Sequence, residues 1–330
     1  MVVPRISANE IIMFWKKKSS EPVLGVPLHE LEAMLAPTTI KASRKNDNTL
    51  LAKHEHYTVK VEVVPADEHD SENGPIRAVV QITSELPTQI RQLFVGKEES
   101  ATCTFNAFAA LSALYVDGGN LMNGSRLTIY EEEDSWSTLH LPLLVFTVIA
   151  GNEPILGAMR RTFGGQAPRG GNSEWTEQDM QQVESYLSQL CVCTTGGAGL
   201  TAEFPLAAGV VSAATGNTET ALFQLMADQP HPEMGGGLFC LLQMPQQIGD
   251  LARLQSICAQ LNKLEMAAAD LPPHFGAWCP GKLGGNPAYI SFLPNSLHRV
   301  SGIAVNTAFW AANRANWANR MLVNMGFAAS

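Results

Sequence analysis

Residues 219–245, ETALFQLMADQPHPEMGGGLFCLLQMP, decide the fold. Two apolar runs flank a tip rich in Asp, Pro and Gly, which is the signature of a strand, a turn and a second strand. The arrangement occurs twice. Upstream, residues 57–86 read YTVKVEVVPADEHDSENGPIRAVVQITSEL. There Val59, Val61 and Val63 alternate with Lys60 and Glu62, a period-two pattern. Each stretch predicts a β-hairpin with a polar tip.

The surroundings of the two hairpins also match. In the second half, a helix over 176–190 is capped by Thr176, with Asp179 in its first turn. A strand-like segment over 199–209 leads into the hairpin. The helix over 250–269 follows, with Leu251, Leu254, Cys258 and Leu261 on one stripe. Two strands, HFGAWC at 274–279 and AYISFLP at 288–294, precede a long closing helix over 304–327. In the first half, a short helix over 27–35 sets Leu28, Leu31 and Leu35 on one side. Strands near 38–44 and 49–54 lead into the hairpin. Residues 104–119 predict a helix with Phe105, Phe108, Leu111 and Tyr115 on one stripe and Gly118 as its stop. Two strands over 125–134 and 135–141 come next, then a helix broken near Asn152, where Pro154 suits a new first turn.

Both halves thus run helix, strand, hairpin, helix, two strands, helix. The expected fold is α+β, two tandem copies of a helix–antiparallel sheet–helix sandwich. The expected boundaries are an N-terminal helical segment at 1–24, a first domain at 25–164, a Gly/Pro/Ser-rich linker at 165–175 and a second domain at 176–330. The 330 residues suit two domains, and 45% apolar content lets each bury a core.

Twenty-two cations against 31 acids leave a net charge of −9, which argues against nucleic acid as partner. After Asp270 there is no acid, while Lys282, Arg299, Arg314 and Arg320 remain. This Trp-bearing region is expected to pack on the rest of the chain. EIIMFWKKK has the reverse order of a secretory signal, and no run approaches a membrane span. The six cysteines are therefore expected to be reduced thiols in a cytoplasm.

Five stretches have the residue types for chemistry. The first hairpin tip holds Asp67, Glu68, His69 and Asp70, and the second holds Asp228, His231 and Glu233. Tips point into water, so solvated loops are the favoured reading. His54 and His56 share one strand face, half of a metal site, but no third ligand is at hand, and surface histidines are favoured. Cys191-Val-Cys193 precedes Gly196, Gly197 and Gly199. It suggests a redox or metal site, but is read instead as a helix C-terminus stopped at the glycine pair. The order helix-then-strand is wrong for a dinucleotide turn. The acid run at 130–136 is read as a solvated face. No catalytic residue, metal ligand set or cofactor is assigned.

The closing helix sets Ala308, Ala312, Ala315 and Leu322 on one side and Trp310, Trp317 and Met321 on another. The second stripe reads as core or as an exposed ridge for a partner.

The element order over 176–325, with its helix, hairpin, amphipathic helix, strand pair and closing helix, resembles the type III secretion chaperone-like fold and its YbjN-type relatives. The first half resembles it less closely, because its last helix is interrupted. The resemblance implies a curved antiparallel sheet covered by helices in a small, acidic, cytoplasmic, non-enzymatic protein that holds a partner polypeptide in an apolar groove. It implies no catalytic residues. With the sequence, it yields the expectation of a protein-binding module, a monomeric pseudo-dimer or a homodimer. Its partner surface is placed at Trp310, Trp317, Met321, Leu251 and Leu254. The rival expectation is a thiol-based metal or redox sensor, or an enzyme, using Cys191 and Cys193. The third is an assembly component.

Overall fold

The computed structural model describes residues 26–327 except 27, 56, 67–69, 72–73, 93, 109–110, 132–140, 143, 146–147, 150, 153–170, 207–218, 233 and 282–284. Short amphipathic α1 (Leu28–Leu35) opens the described chain and buries Leu28, Leu31 and Leu35. It is followed by β1 (Lys41–Asn46), β2 (Thr49–His54), β3 (Tyr57–Pro65), β4 (Asp70–Ser71) and β5 (Gly74–Glu85). Then come α2 (Thr88–Gln92), α3 (Glu98–Asn106), β6 (Ala113–Asp117) and β7 (Asn120–Tyr130). Leu141, Leu144, Val145 and Val148 lie in helical conformation and pack into the core. The second half comprises α4 (Glu177–Leu187), β8 (Val192–Gly196), β9 (Gly199–Pro205), β10 (Thr220–Met226), β11 (Gly237–Gln243), α5 (Leu251–Ala267), β12 (Ala277–Pro280), β13 (Pro287–Pro294) and α6 (Ile303–Asn324).

The protein is α+β, with two antiparallel sheets. The first runs β1-β2-β3-β5-β7-β6, with β4 paired off β5; the second runs β8-β9-β10-β11-β13-β12. Strand for strand these are one order. The registers agree as well. Leu50 faces Val61 and Val61 faces Ile82 in the first sheet, as Leu200 faces Leu225 and Leu225 faces Cys240 in the second. Period-two alternation sends these residues to the helix-covered face, where all six are buried.

The correspondence reaches polar side chains. Asn106, at the end of α3, brackets the edge strand β6: its Nδ2 donates to the Leu114 carbonyl at 2.9 Å and its Oδ1 accepts from Leu114 N–H at 2.8 Å. Asn262 of α5 makes the same pair with Trp278 of β12, at 2.9 and 2.8 Å. On the opposite edges, Glu32 of α1 reaches Arg44 of β1 at 3.2 Å, and Glu184 of α4 accepts from the Thr195 hydroxyl of β8 at 2.7 Å. Arg44 faces Leu50 and Thr195 faces Leu200, so these are matching positions.

The two sheets meet at their β6 and β12 edges. Ala113 and Ala277, which hold the same place in their strands, touch each other and are fully buried. Helices α3 and α5 pack across the same seam. Cys103 Sγ donates to the Gln255 carbonyl at 3.4 Å. Burial and the neighbouring Cys103 push the Cys258 thiol up, and Cys279 lies close to it. All six cysteines are free thiols.

Several expectations are corrected. Residues 104–119 do not form one helix: α3 ends at Asn106 and Ala113–Asp117 is strand. The apolar spacing of Leu111 and Tyr115 fits a helix, yet Ala113, Leu114 and Tyr115 are buried together as an edge strand whose two faces meet the seam and the core. The strand expected over 125–134 is β7, which starts earlier and ends at Tyr130; the one expected over 135–141 falls mostly outside the described residues. Residues 192–196, expected to end a helix, form β8, because α4 already stops at Leu187. Gly197, at φ 58, then opens the two-residue turn into β9.

The described part of the expected linker is pinned. Ser173 Oγ donates to the Gly237 carbonyl at 2.8 Å, Asn295 Nδ2 donates to the Asn172 carbonyl at 2.9 Å, and Trp175 is buried. Gly236 permits this approach, since a Cβ there would lie 2.1 Å from the Asn172 carbonyl oxygen. The Thr176 capping box forms as expected, with Thr176 N–H on Asp179 Oδ2 at 2.7 Å. The N-terminal segment 1–24 lies outside the described residues.

Asn262→Ala leaves the Trp278 N–H and carbonyl unpaired under full cover. We expect a loss of roughly 2–6 kcal/mol in urea-unfolding stability, at about 1–3 kcal/mol for each of the two stranded groups.

Candidate functional site

The seam contains a buried ionic cluster. Glu265, in the last turn of α5, is fully buried. Its Oε1 accepts from Arg314 Nε at 2.6 Å and lies 2.9 Å from His274 Nδ1, at an angle too oblique for a linear hydrogen bond. Its Oε2 accepts from the Trp278 indole N–H at 2.7 Å. Arg314 of α6 also donates to the Pro273 carbonyl at 2.8 Å and stacks 4.0 Å over the Tyr289 ring.

Arg126 of β7 enters this cluster from the first sheet. Its Nε donates to the Glu265 carbonyl at 3.0 Å, and one terminal nitrogen donates to the Leu271 and Pro272 carbonyls at 3.2 and 2.9 Å. The other donates to Thr128 Oγ1 at 2.6 Å. The last turn of α5 has no cation of its own. Arg126 supplies one there, where unpaired carbonyls and the helix dipole favour positive charge. The segment between α5 and β12 has no counterpart of equal length between α3 and β6. It binds across the seam: His274 N–H donates to the Arg126 carbonyl at 2.8 Å, and Thr128 Oγ1 donates to the Ala269 carbonyl at 2.6 Å.

Burial alone would raise the Glu265 carboxyl, but Arg314 and then His274 outweigh it and hold it well below the usual carboxylate range. Burial lowers His274, against the pull of Glu265, which keeps the ring neutral at pH 7. Burial also lowers Arg126 to about 10, which leaves it charged. Two guanidinium cations and one carboxylate therefore share the interior, and the surplus positive charge rests on main-chain carbonyls.

Beside this cluster, a shallow cleft with about 300 Å³ of space lies between the second sheet and α6. Phe223, Phe275, Tyr289, Trp310 and Arg314 line it. Its enclosed part has room for about one water molecule, so in this conformation it holds no substrate-sized ligand.

The expected partner surface divides. Leu254 and Trp317 are buried in the core and do not face a partner. Trp310, edge-on to Phe275 at 5.3 Å, and Met321 are half-buried against the core. Leu251 is 62% exposed, because it sits in the first turn of α5, ahead of the stripe. These five residues do not form one exposed ridge.

The other candidates also move. His54 is buried, with Nδ1 3.3 Å from Thr39 Oγ1, so it is not a surface histidine; His56 lies outside the described residues. Asp67, Glu68, His69 and Glu233 lie outside them too. The second tip is not wholly solvated, because His231 is buried in it. Met234 N–H donates to its Nδ1 at 3.2 Å, which leaves the proton on Nε2 to donate to the Phe108 carbonyl at 2.8 Å, across the seam. Among the described residues no group of three or more His, Cys, Asp or Glu is placed to hold a metal. Cys191 and Cys193 are half-exposed. Burial, with Cys191 and Glu184 nearby, pushes the Cys193 thiol up to about 11, so it is not a poised thiolate at neutral pH.

The two outer edges, β1 and β8, differ sharply. β1 carries exposed Lys41, Arg44 and Lys45 and a register shift between Arg44 and Asn46, both devices that discourage edge pairing. β8 reads Val-Cys-Thr-Thr-Gly and has no charge and no register shift. Val192 is 69% exposed and Leu190, just before it, 59%. In a two-residue hairpin the closing pair is hydrogen-bonded, and pairs then alternate. Gly196, Thr194 and Val192 therefore bond to β9, while Cys193 and Thr195 turn their N–H and carbonyl outward.

No described helix is long and apolar enough to cross a membrane. No family model, curated protein or solved structure matches the chain.

Two outcomes are expected of the cluster. His274 has a lowered folded pKa, so its contribution is complete above the unfolded value near 6.5 and is lost as pH falls below it. The paired Glu265 adds a second loss below about 4.5. Denaturant midpoints should thus fall in two stages on acidification, the first absent in His274→Gln. Glu265→Gln leaves Arg314 buried without its carboxylate and should cost about 3–5 kcal/mol in the same measurement.

Proposed function

We propose that the chain is a protein-binding module that takes an extended polypeptide segment as an added strand on β8. The observation that supports this most directly is the uncharged edge of β8, which no strand among the described residues covers, with outward N–H and carbonyl groups and exposed Leu190 and Val192 beside it. Such an edge binds through main-chain hydrogen bonds, and alternate side chains of the incoming strand set specificity. Glu184 and Glu203 flank the edge on its two faces, so a segment with basic residues is favoured.

The matching order of the two sheets supports the tandem form of a sandwich that resembles the type III secretion chaperone-like and YbjN-type fold. In this reading the protein is cytoplasmic and non-enzymatic. The buried ionic cluster serves as the lock between the two halves, and the shallow cleft is packing between α6 and the sheet.

A photo-crosslinking amino acid at Thr194, introduced in the native cells, tests this. The expected product joins residue 194 to one partner polypeptide. It should be lost in Thr195→Pro, which removes an outward N–H without breaking a β8–β9 bond. Absence of any foreign polypeptide at residue 194, or a cross-link indifferent to Thr195→Pro, would refute the proposal.

A further inference from the structure

Cys103 is the only cysteine before residue 191, so any bond it makes to another thiol of this chain joins the two halves. It is buried on α3, where that helix packs on α5. One turn earlier, Glu99 Oε1 accepts from the Ser256 hydroxyl at 3.2 Å, and Gln255 Nε2 donates to Ser100 Oγ at 3.4 Å, so polar contacts hold the two helices together there. The Cys103 thiol donates to the Gln255 carbonyl, one turn ahead of Cys258. It lies within hydrogen-bonding reach of the Cys258 thiol, which is buried in the same core. Cys279 of β12 lies near Cys258 as well. Neither the ionic cluster nor the β8 edge uses these thiols.

We propose that Cys103 and Cys258 are a redox modification site, which a hydroperoxide converts to a disulfide that ties the two halves covalently. The Cys103 sulfur attacks the peroxide. The O–O bond breaks, a sulfenic acid forms, and the leaving oxygen takes the thiol proton. The Cys258 sulfur then attacks the Cys103 sulfur. The S–O bond breaks, the S–S bond forms, and the departing oxygen leaves as water with the second proton. Two thiols lose two electrons and the peroxide gains them. The adjacent thiol meets the sulfenic acid before a second peroxide does, so oxidation stops at the disulfide. A dithiol reverses it by exchange. Burial keeps the Cys258 thiol protonated at neutral pH, which protects the pair in a reducing compartment. The closed loop spans β6 to β11, so it restricts the unfolded chain and stops the halves from parting. The site does not depend on a strand added to β8.

The test adds hydrogen peroxide in excess to the full chain. Remaining thiols are alkylated in denaturant, and the digest is mapped by mass spectrometry without reduction. The expected map contains one peptide pair joined at Cys103 and Cys258, which dithiothreitol separates. The urea midpoint of the oxidised chain should lie above that of the reduced chain and fall back on reduction. Cys103→Ser keeps a donor for the Gln255 carbonyl and should abolish both the link and the shift, whereas Cys279→Ser should keep both. Where Cys103→Ser folds poorly, the peptide map of the unaltered chain still decides. Cys103 and Cys258 still reduced once Cys191 and Cys193 are oxidised, a link from Cys258 to Cys279 in place of Cys103, or a joined pair with no rise in midpoint would each overturn the inference.

Discussion

The neutralisation of Glu265 is the constraint on which the joined structure depends. A carboxylate with no exposed surface is tolerated only when opposing charge and hydrogen-bond donors surround it. Here the donors come from two elements, Arg314 from α6 and the Trp278 indole from β12, and the neutral His274 ring of the segment that crosses the seam lies 2.9 Å from the same carboxylate. The main-chain carbonyl of the same residue receives Arg126 from the other sheet. A single position thus binds both faces of the α5 C-terminus. The closing helix, the edge strand β12 and the neighbouring half cannot shift independently without stranding a charge or a donor.

The two halves share an architecture but resolve its interior differently. At the place where Tyr289 and Arg314 meet in the second half, the first has Asn123, which faces Leu114 as Tyr289 faces Trp278. Asn123 Nδ2 donates to Asn152 Oδ1 at 2.7 Å, and Asn152 Nδ2 donates to Ser84 Oγ at 3.2 Å. A neutral amide chain satisfies the first half, and an ion pair with aromatic cover satisfies the second. The bracket around the edge strand is the same in both, because unpaired main-chain groups at a buried edge pose the same problem in each. What differs is the join. Only the second half has the long crossing segment with its prolines and His274.

Much of this was legible in the residues. Both hairpins, α1, α4 with its cap, α5 and α6 follow from periodicity and capping chemistry that act locally. The strands β6 and β8 were not legible, for two separate reasons. Residues 104–119 are apolar enough on every side to fit a helical stripe, and only the seam, a tertiary fact, makes Ala113 to Tyr115 a doubly covered strand. For β8, the glycine pair also fits a helix stop, and the β-branched run Val192, Thr194 and Thr195 is the stronger signal. The ionic cluster left a trace that periodicity reveals: Glu265 falls on the stripe of Leu254, Cys258 and Leu261, and Arg314 falls among Ala308, Ala311 and Ala315. A charge on a buried stripe has a partner somewhere, and the absence of acids after Asp270 already meant that the partner of Arg314 lay earlier in the chain. The Trp/Met stripe of α6 divides: Trp317 fills core, the first of the two readings its spacing allows, while Trp310 and Met321 are half-buried against it.

The thiols at the seam have a consequence for how the molecule comes apart. Cys103 and Cys258 lie between α3 and α5, whereas Cys240 lies under α6 on the helix-covered face of the second sheet, where burial pushes its thiol up to about 12. The first two become reachable when the halves separate with each sheet intact; the third requires the second half itself to open. Alkylation of the native protein therefore distinguishes two levels of opening, separation of the halves and loss of a half, through the order in which its cysteines are spent.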